Sequence, residues 1–340
     1  MRTPLADRPV LGAAMLGLTM LALSSCADDA TAPPESAAPA REDVILVAAS
    51  NTWATKKVMP TARFQLVAGA VNNIVYAIGG TNATLSPLKT VQAYNPATNS
   101  WATKAGLPAG RRGMNGAATI GNKLYVAGGF GSSATLTKTL YVYDAPSNTW
   151  SKKADMPSAG GCGAEGVINS ILYVYAGCTG VPFGDKLFRY NPSTNTWTTV
   201  AAPPHQHAGG AGSVSMGKLY LAGGSDDGGS LTNTLDVYTP GTNSWKTLAP
   251  IPSLRAGMSG RVVGGKLFAI GGSDDLGNTV GRVDVYDVAS NTWSTKASMP
   301  TARRDFGLAL ASGLLIAVGG AADDGMGNTT VLKTNEAYTP

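Results

Sequence analysis

Tyr286-Asp-Val-Ala-Ser-Asn-Thr-Trp293 is the stretch that decides the fold, because the chain writes its pattern five times over. Tyr94, Tyr143, Tyr190 and Tyr238 each stand seven residues before a tryptophan, as Tyr286 does. Asn-Thr or Asn-Ser precedes every one of the six tryptophans, Trp53, Trp101, Trp150, Trp197, Trp245 and Trp293, whose spacings are 48, 49, 47, 48 and 48 residues. A fixed period near fifty marks one supersecondary unit copied in tandem, each copy unable to bury its apolar faces alone.

Working outward from the motif, each copy reads as four short strands. In the second copy, Gly121-Asn122 is a two-residue hairpin signal between a small-residue run and Lys123-Leu-Tyr-Val-Ala127. A glycine doublet closes that strand. A polar loop leads to Thr139-Leu-Tyr-Val-Tyr143, and a turn leads to Thr149-Trp-Ser-Lys152. Five copies carry the doublet, at Gly79-Gly80, Gly128-Gly129, Gly223-Gly224, Gly271-Gly272 and Gly319-Gly320, and the third has Gly177-Cys178. No window has helical periodicity with caps.

The doublet, the spaced Tyr and Trp, and the repeat length together resemble the kelch repeat over residues 51–340. The resemblance implies an all-β fold: a six-bladed kelch β-propeller with four-stranded antiparallel blades. The two chain ends extend the reading. Tyr338-Thr-Pro340 begins the turn that Ala49-Ser-Asn-Thr-Trp53 completes, and joining them restores the seven-residue spacing. The ring is therefore expected to close with the N-terminal strand completing the last blade, residues 44–340 forming the propeller.

Residues 1–25 read as an export signal: Arg2 and Arg8, then an apolar run from Val10 to Leu23 too short for an ordinary membrane span. Leu23-Ser-Ser-Cys26 resembles the bacterial lipobox, which implies lipidation of Cys26. Residues 26–43, rich in Ala, Pro, Asp and Glu, read as a flexible tether. Val44-Ile-Leu-Val47 has no seat in a blade register. The expected location is the cell envelope, on its periplasmic or extracellular face. Net charge is +5 with 14% charged residues, and no basic stripe points to nucleic acid. A monomer without cofactor or metal is expected.

Several residues invite a functional reading. Three residues after each Met-Pro-like pair come Arg63, Arg111, Gly160, His207, Arg255 and Arg303. They start the innermost strands, near the axial mouth. A ring of guanidinium groups suits an anionic ligand; alternatively these residues bridge neighbouring loops. Asp323, Asp324 and Asn328, on the longest loop of its kind, are expected at the edge of that site. Asp226-Asp227, Asp274-Asp275 and Asp323-Asp324 read either as turn chemistry or as calcium ligands. Glu165 is the odd residue of a Gly- and Ala-rich inner strand, a candidate general acid or base or an arginine partner. His205 and His207 are too few for zinc. Counting from Asn169-Ser170 puts Cys162 opposite or nearly opposite Cys178, so a disulfide is expected. Two functions follow. The first is a membrane-anchored kelch binding module that takes a protein or glycan through the top-face loops. The second is a carbohydrate-active kelch enzyme such as a sialic acid mutarotase, with the arginines and Glu165 acting on an acidic sugar.

Overall fold

The computed structural model describes residues 50–340 except 180–184, 227, 325 and 327. The signal segment 1–25, Cys26, the tether 26–43, Val44-Ile-Leu-Val47 and Asp227 lie outside the described residues.

Six four-stranded antiparallel sheets form the blades, and no helix occurs among the described residues. The inner strands are Val67–Val71, Ala118–Ile120, Ala164–Ile168, Ala211–Ser215, Ser259–Val263 and Gly307–Ala311 in blades 1 to 6. Their glycines and alanines let six backbones crowd one axis: a Cβ on Gly260 would lie 2.6 Å from the Gly212 nitrogen of the preceding blade. In blade 6 the order outward is Gly307–Ala311, Leu314–Val318, Asn335–Thr339 and Thr52–Thr55. Trp53 stands opposite Tyr338.

The apolar core is divided between the blades. One cluster joins Val67, Tyr76 and Val91 of blade 1 to Leu124 and Val126 of blade 2. Another joins Val75 and Tyr94 of blade 1 to Ile316 and Val318 of blade 6, and the remaining seams repeat the scheme. Burial of these faces is the main drive for stacking.

The repeated Tyr, Asn and Trp lock each seam. Asn195 sits at φ 55°, a left-handed turn position that Asn tolerates. Its Oδ1 accepts the Tyr190 hydroxyl at 2.8 Å and the Ala154 backbone N–H of the preceding blade at 2.9 Å. Trp197 stacks on Tyr190 at 4.9 Å between ring centroids and donates its indole N–H to the Ala154 carbonyl at 2.8 Å. The same set recurs around the ring. In blade 6 it is made of Tyr338 from one end of the chain and Asn51 and Trp53 from the other, both reaching Ala297 of blade 5.

Two outcomes test this architecture. Asn195→Gly keeps the positive φ but removes both hydrogen bonds, and should lower stability by about 1–3 kcal/mol in chemical denaturation; an unchanged midpoint would remove the clamp's energetic role. Deleting residues 49–57 should leave Asn335–Thr339 as an open edge and promote association, seen by size-exclusion chromatography. A monomer with unaltered melting temperature would show that the N-terminal strand is dispensable.

Candidate functional site

The cations expected at the mouth are inside the blades instead. Arg63, Arg255 and Arg303 are fully buried, His207 is 1% exposed and Arg111 8%. Arg63, His207, Arg255 and Arg303 turn outward from the start of their inner strands and bond within their own blades. Arg63 donates to the carbonyls of Gly79 at 2.7 Å, Thr90 at 2.9 Å and Ala77 at 3.2 Å, and to Gln92 Oε1 at 3.1 Å. Arg255 donates to the Gly271 carbonyl and pairs with Asp284 at 2.7 Å. Arg303 pairs with Glu336 at 2.5 Å and with the Ala317 carbonyl at 3.1 Å. The His207 ring spans the Gly223 carbonyl at 2.8 Å and Asp236 at 3.1 Å. Arg111 lies over the Tyr141 ring at 5.6 Å. The expected anion-binding ring is corrected accordingly: Arg63, His207 and Arg255 hold a glycine-doublet carbonyl and a third-strand side chain in the blade interior, and Arg303 holds the third-strand Glu336.

The partners were readable but unread. Gln92, Asp236, Asp284 and Glu336 each stand two residues before the repeat tyrosine, so an acid or amide at that position answers the cation. Blade 3 supports the link by exception. It has Gly160 at the cation position, and its Gly177-Cys178 lacks the positive φ of the glycine doublets. Cation and doublet are lost together because the first glycine's carbonyl is the cation's acceptor in blades 1, 4 and 5.

Electrostatics follow burial. Desolvation pulls Arg63 down to about 9, and its hydrogen-bond partners, Gln92 included, are all neutral. Burial takes Arg255 to about 10 against the favourable charge of Asp284. At Asp236 burial raises the carboxyl, but hydrogen bonds from His207, Thr247 and His205 outweigh it and the net shift is downward.

The two cysteines are free thiols in the structure, not a disulfide. Gly161, not Cys162, is bridged to Cys178, one step off the expected register. Cys162 sits at φ 54° beyond the strand and faces the axial cavity. Its contact with Cys178, then burial, pushes its thiol well above the usual range.

The aspartates of the top loops hold their own backbone. Asp274 Oδ1 accepts the N–H groups of Leu276 and Asn278, and Asp324 Oδ1 accepts those of Met326 and Asn328. Asn82 does the same for Thr84 and Ser86 in blade 1. Asp323 pairs with Arg304 at 2.8 Å and accepts from Thr329. Asp323, Asp324 and Asn328 therefore brace the longest loop. Among the described residues no cluster of three or more His, Cys, Asp or Glu could hold a metal ion.

Two cavities lie on the axis, of about 160 Å³ toward the top and about 270 Å³ below it, each lined from all six blades. Glu165 lines both. Its Oε1 accepts the Ala127 N–H at 2.9 Å, across the seam with blade 2. Ala118–Ile120 is shorter than the other inner strands, and the Glu165 carboxyl takes up a backbone donor that strand leaves free. Desolvation raises its pKa well above the ordinary value, against hydrogen bonds from Ala127 and Ala118. Arg261, which the sequence reading passed over, lines both cavities too. It stands out in Ser259–Val263 as Glu165 does in Ala164–Ile168, and the same signal would have found it.

Glu336→Ala should leave Arg303 buried and uncompensated, at a cost of about 3–5 kcal/mol in unfolding free energy. Arg303→Met with Glu336→Leu should recover most of that loss. A double variant as unstable as the single one would contradict a pairwise account.

A family model described as the KLHDC2/KLHL20/DRC7 kelch-repeats domain matches residues 166–338, and a kelch motif model matches residues 62–108 and 111–157. A comparison with curated proteins finds no match. Among solved structures, one titled "Structure of YjhT" is similar at a TM-score of 0.72 and 18% identity, covering 83% of this chain and 96% of that one, a likeness of fold. With matches in both halves of the ring and one construction in all six blades, the chain belongs to the kelch-repeat family.

Proposed function

We propose that this propeller is an exported, membrane-anchored binding module that holds a protein partner through its top-face loops. The observation that carries the reading is a set of exposed apolar tips on three consecutive blades. Leu276 of blade 5 and Met326 of blade 6 are each 81% exposed, and Leu85 of blade 1 is 57% exposed. Each belongs to a loop tied by an Asp or Asn side chain two or more residues back. Large apolar side chains held out on braced loops suit recognition, since apolar surface gains by burial and a preformed loop loses little entropy on binding. The tips favour a protein over a glycan. An acidic sugar reading loses the cations it was built on, because those arginines are within the blades.

Anchoring rests on the lipobox-like Leu23-Ser-Ser-Cys26. Asn51 lies in the turn that precedes the outermost strand of blade 6, on the face opposite the top loops.

The test has two arms. In affinity capture from envelope extract, the triple variant Leu85→Asp/Leu276→Asp/Met326→Asp should lose roughly tenfold or more of the affinity for whatever specific partner the wild type retains, as expected when hot-spot side chains are removed. Equal retention by the variant would place recognition elsewhere. Separately, Cys26→Ala should shift the protein out of the membrane fraction or leave an uncleaved precursor; unaltered fractionation and lipid labelling would remove the anchor.

A further inference from the structure

Only two residues on the six inner strands are ionisable, Glu165 and Arg261, and they face the same channel. Arg261 reaches from blade 5 across the axis. Its Nη2 donates to the Leu308 carbonyl of blade 6 at 3.0 Å and to the Ala68 carbonyl of blade 1 at 3.3 Å. Those acceptors carry no net charge. Its Nε is buried without a partner, and no carboxylate pairs with it among the described residues. The guanidinium surface that remains accessible faces the cavities. On the other side of the channel Glu165 is 7% exposed and its Oε2 is buried without a partner. Asn115, 3% exposed, likewise has an unpartnered Oδ1 and lines the upper cavity. Unpartnered buried polar atoms are uncommon in native folds, and the three residues that carry these line one cavity.

We propose that the axial channel is a binding site for a small organic monocarboxylate, with Arg261 as the charge partner and the Glu165 side chain as a second polar contact across the channel. A planar carboxylate matches the edge of a guanidinium and accepts from two directions. One cation balances one negative charge. A dianion would carry an excess charge into a channel lined mostly by small and apolar residues, where desolvation opposes it. The cavities have room for a molecule the size of acetate or lactate. Glu165 belongs to the site only as an acid, and burial holds its proton to higher pH than usual. The other titratable groups facing the channel are at its upper end. Cys162 rests against Cys178, and Asp305 is already paired with Arg304. This proposal is independent of the partner assigned to the top face.

The experiment is calorimetric and thermal-shift titration of the full chain with sodium acetate and sodium lactate at constant ionic strength. Acetamide is the uncharged control, sulfate the dianion and chloride the spherical anion. Saturable stabilisation by a carboxylate, absent with acetamide, sulfate and chloride, is expected. Arg261→Gln should weaken it roughly tenfold or more, since a hydrogen bond to a charged group is lost. Wild-type affinity should fall as pH rises and Glu165 ionises against the anion, and Glu165→Gln should bind without that fall. Should Arg261→Gln not fold, the pH comparison with Glu165→Gln decides alone. Absence of carboxylate-specific binding, or equal pH dependence in wild type and Glu165→Gln, would overturn the proposal and leave a water-filled channel.

Discussion

The asparagine clamp between successive blades is the contact on which the ring depends. Six small sheets packed face to face have large apolar contacts but little that defines their angle, since hydrophobic burial is non-directional. The clamp supplies direction. One amide oxygen holds a hydroxyl of its own blade and an N–H of the preceding one, and the tryptophan beside it grips the carbonyl of that same preceding residue. Backbone donor and acceptor of a single residue, Ala154 at one seam and Ala297 at another, are captured together. A tilted blade would break both bonds at once. The recurring period and the recurring trio thus express a single requirement, that every seam be set at the same angle.

Within a blade the corresponding role falls to a buried cation. Glycine doublets take positive φ, Gly79 at 62° and Gly80 at 93°, and the chain turns away from the strand there. The carbonyl of the first glycine would lack a ladder partner, and a guanidinium or imidazole fills that place. Buried charge is costly unless paired, which accounts for the acid or amide on the third strand.

The fold was legible because its signal is repetition: Tyr94 and Tyr286 sit 192 residues apart in identical settings, four repeats of about 48. The number of repeats follows from spacing, and the four strands of each from the turn signals between apolar runs. The site was less legible. A cation recurring at one register marks a shared structural need as readily as a shared ligand, and sequence spacing does not say whether Arg255 turns toward the axis or into its blade. Its burial partner, Asp284, lies 29 residues away on a strand that comes alongside only after folding. Cys162 and Cys178 show the same limit at finer scale: hairpin counting places them within one residue of opposition, and the bridge falls on Gly161, with Cys162 at positive φ beside it. Glu165 and Arg261 were legible as exceptions to a small-residue pattern, and their partners across the axis were not, since those contacts belong to the ring as a whole.

The pairing of Asn51 with Tyr338 joins residues 287 positions apart. At a synthesis rate of about 5–20 residues per second, the strand that emerges first waits roughly 15 to 60 seconds before its neighbour exists. During that interval Trp53 has no tyrosine to stack upon, and blade 1 has no finished neighbour on one flank. Five blades can assemble in order of appearance, each on the one before, but the sixth has to recruit material from the start of the chain. The molecule's assembly is thus governed by a delay as well as by a shape, and whatever accompanies the nascent chain must keep that first strand from finding another chain's open edge.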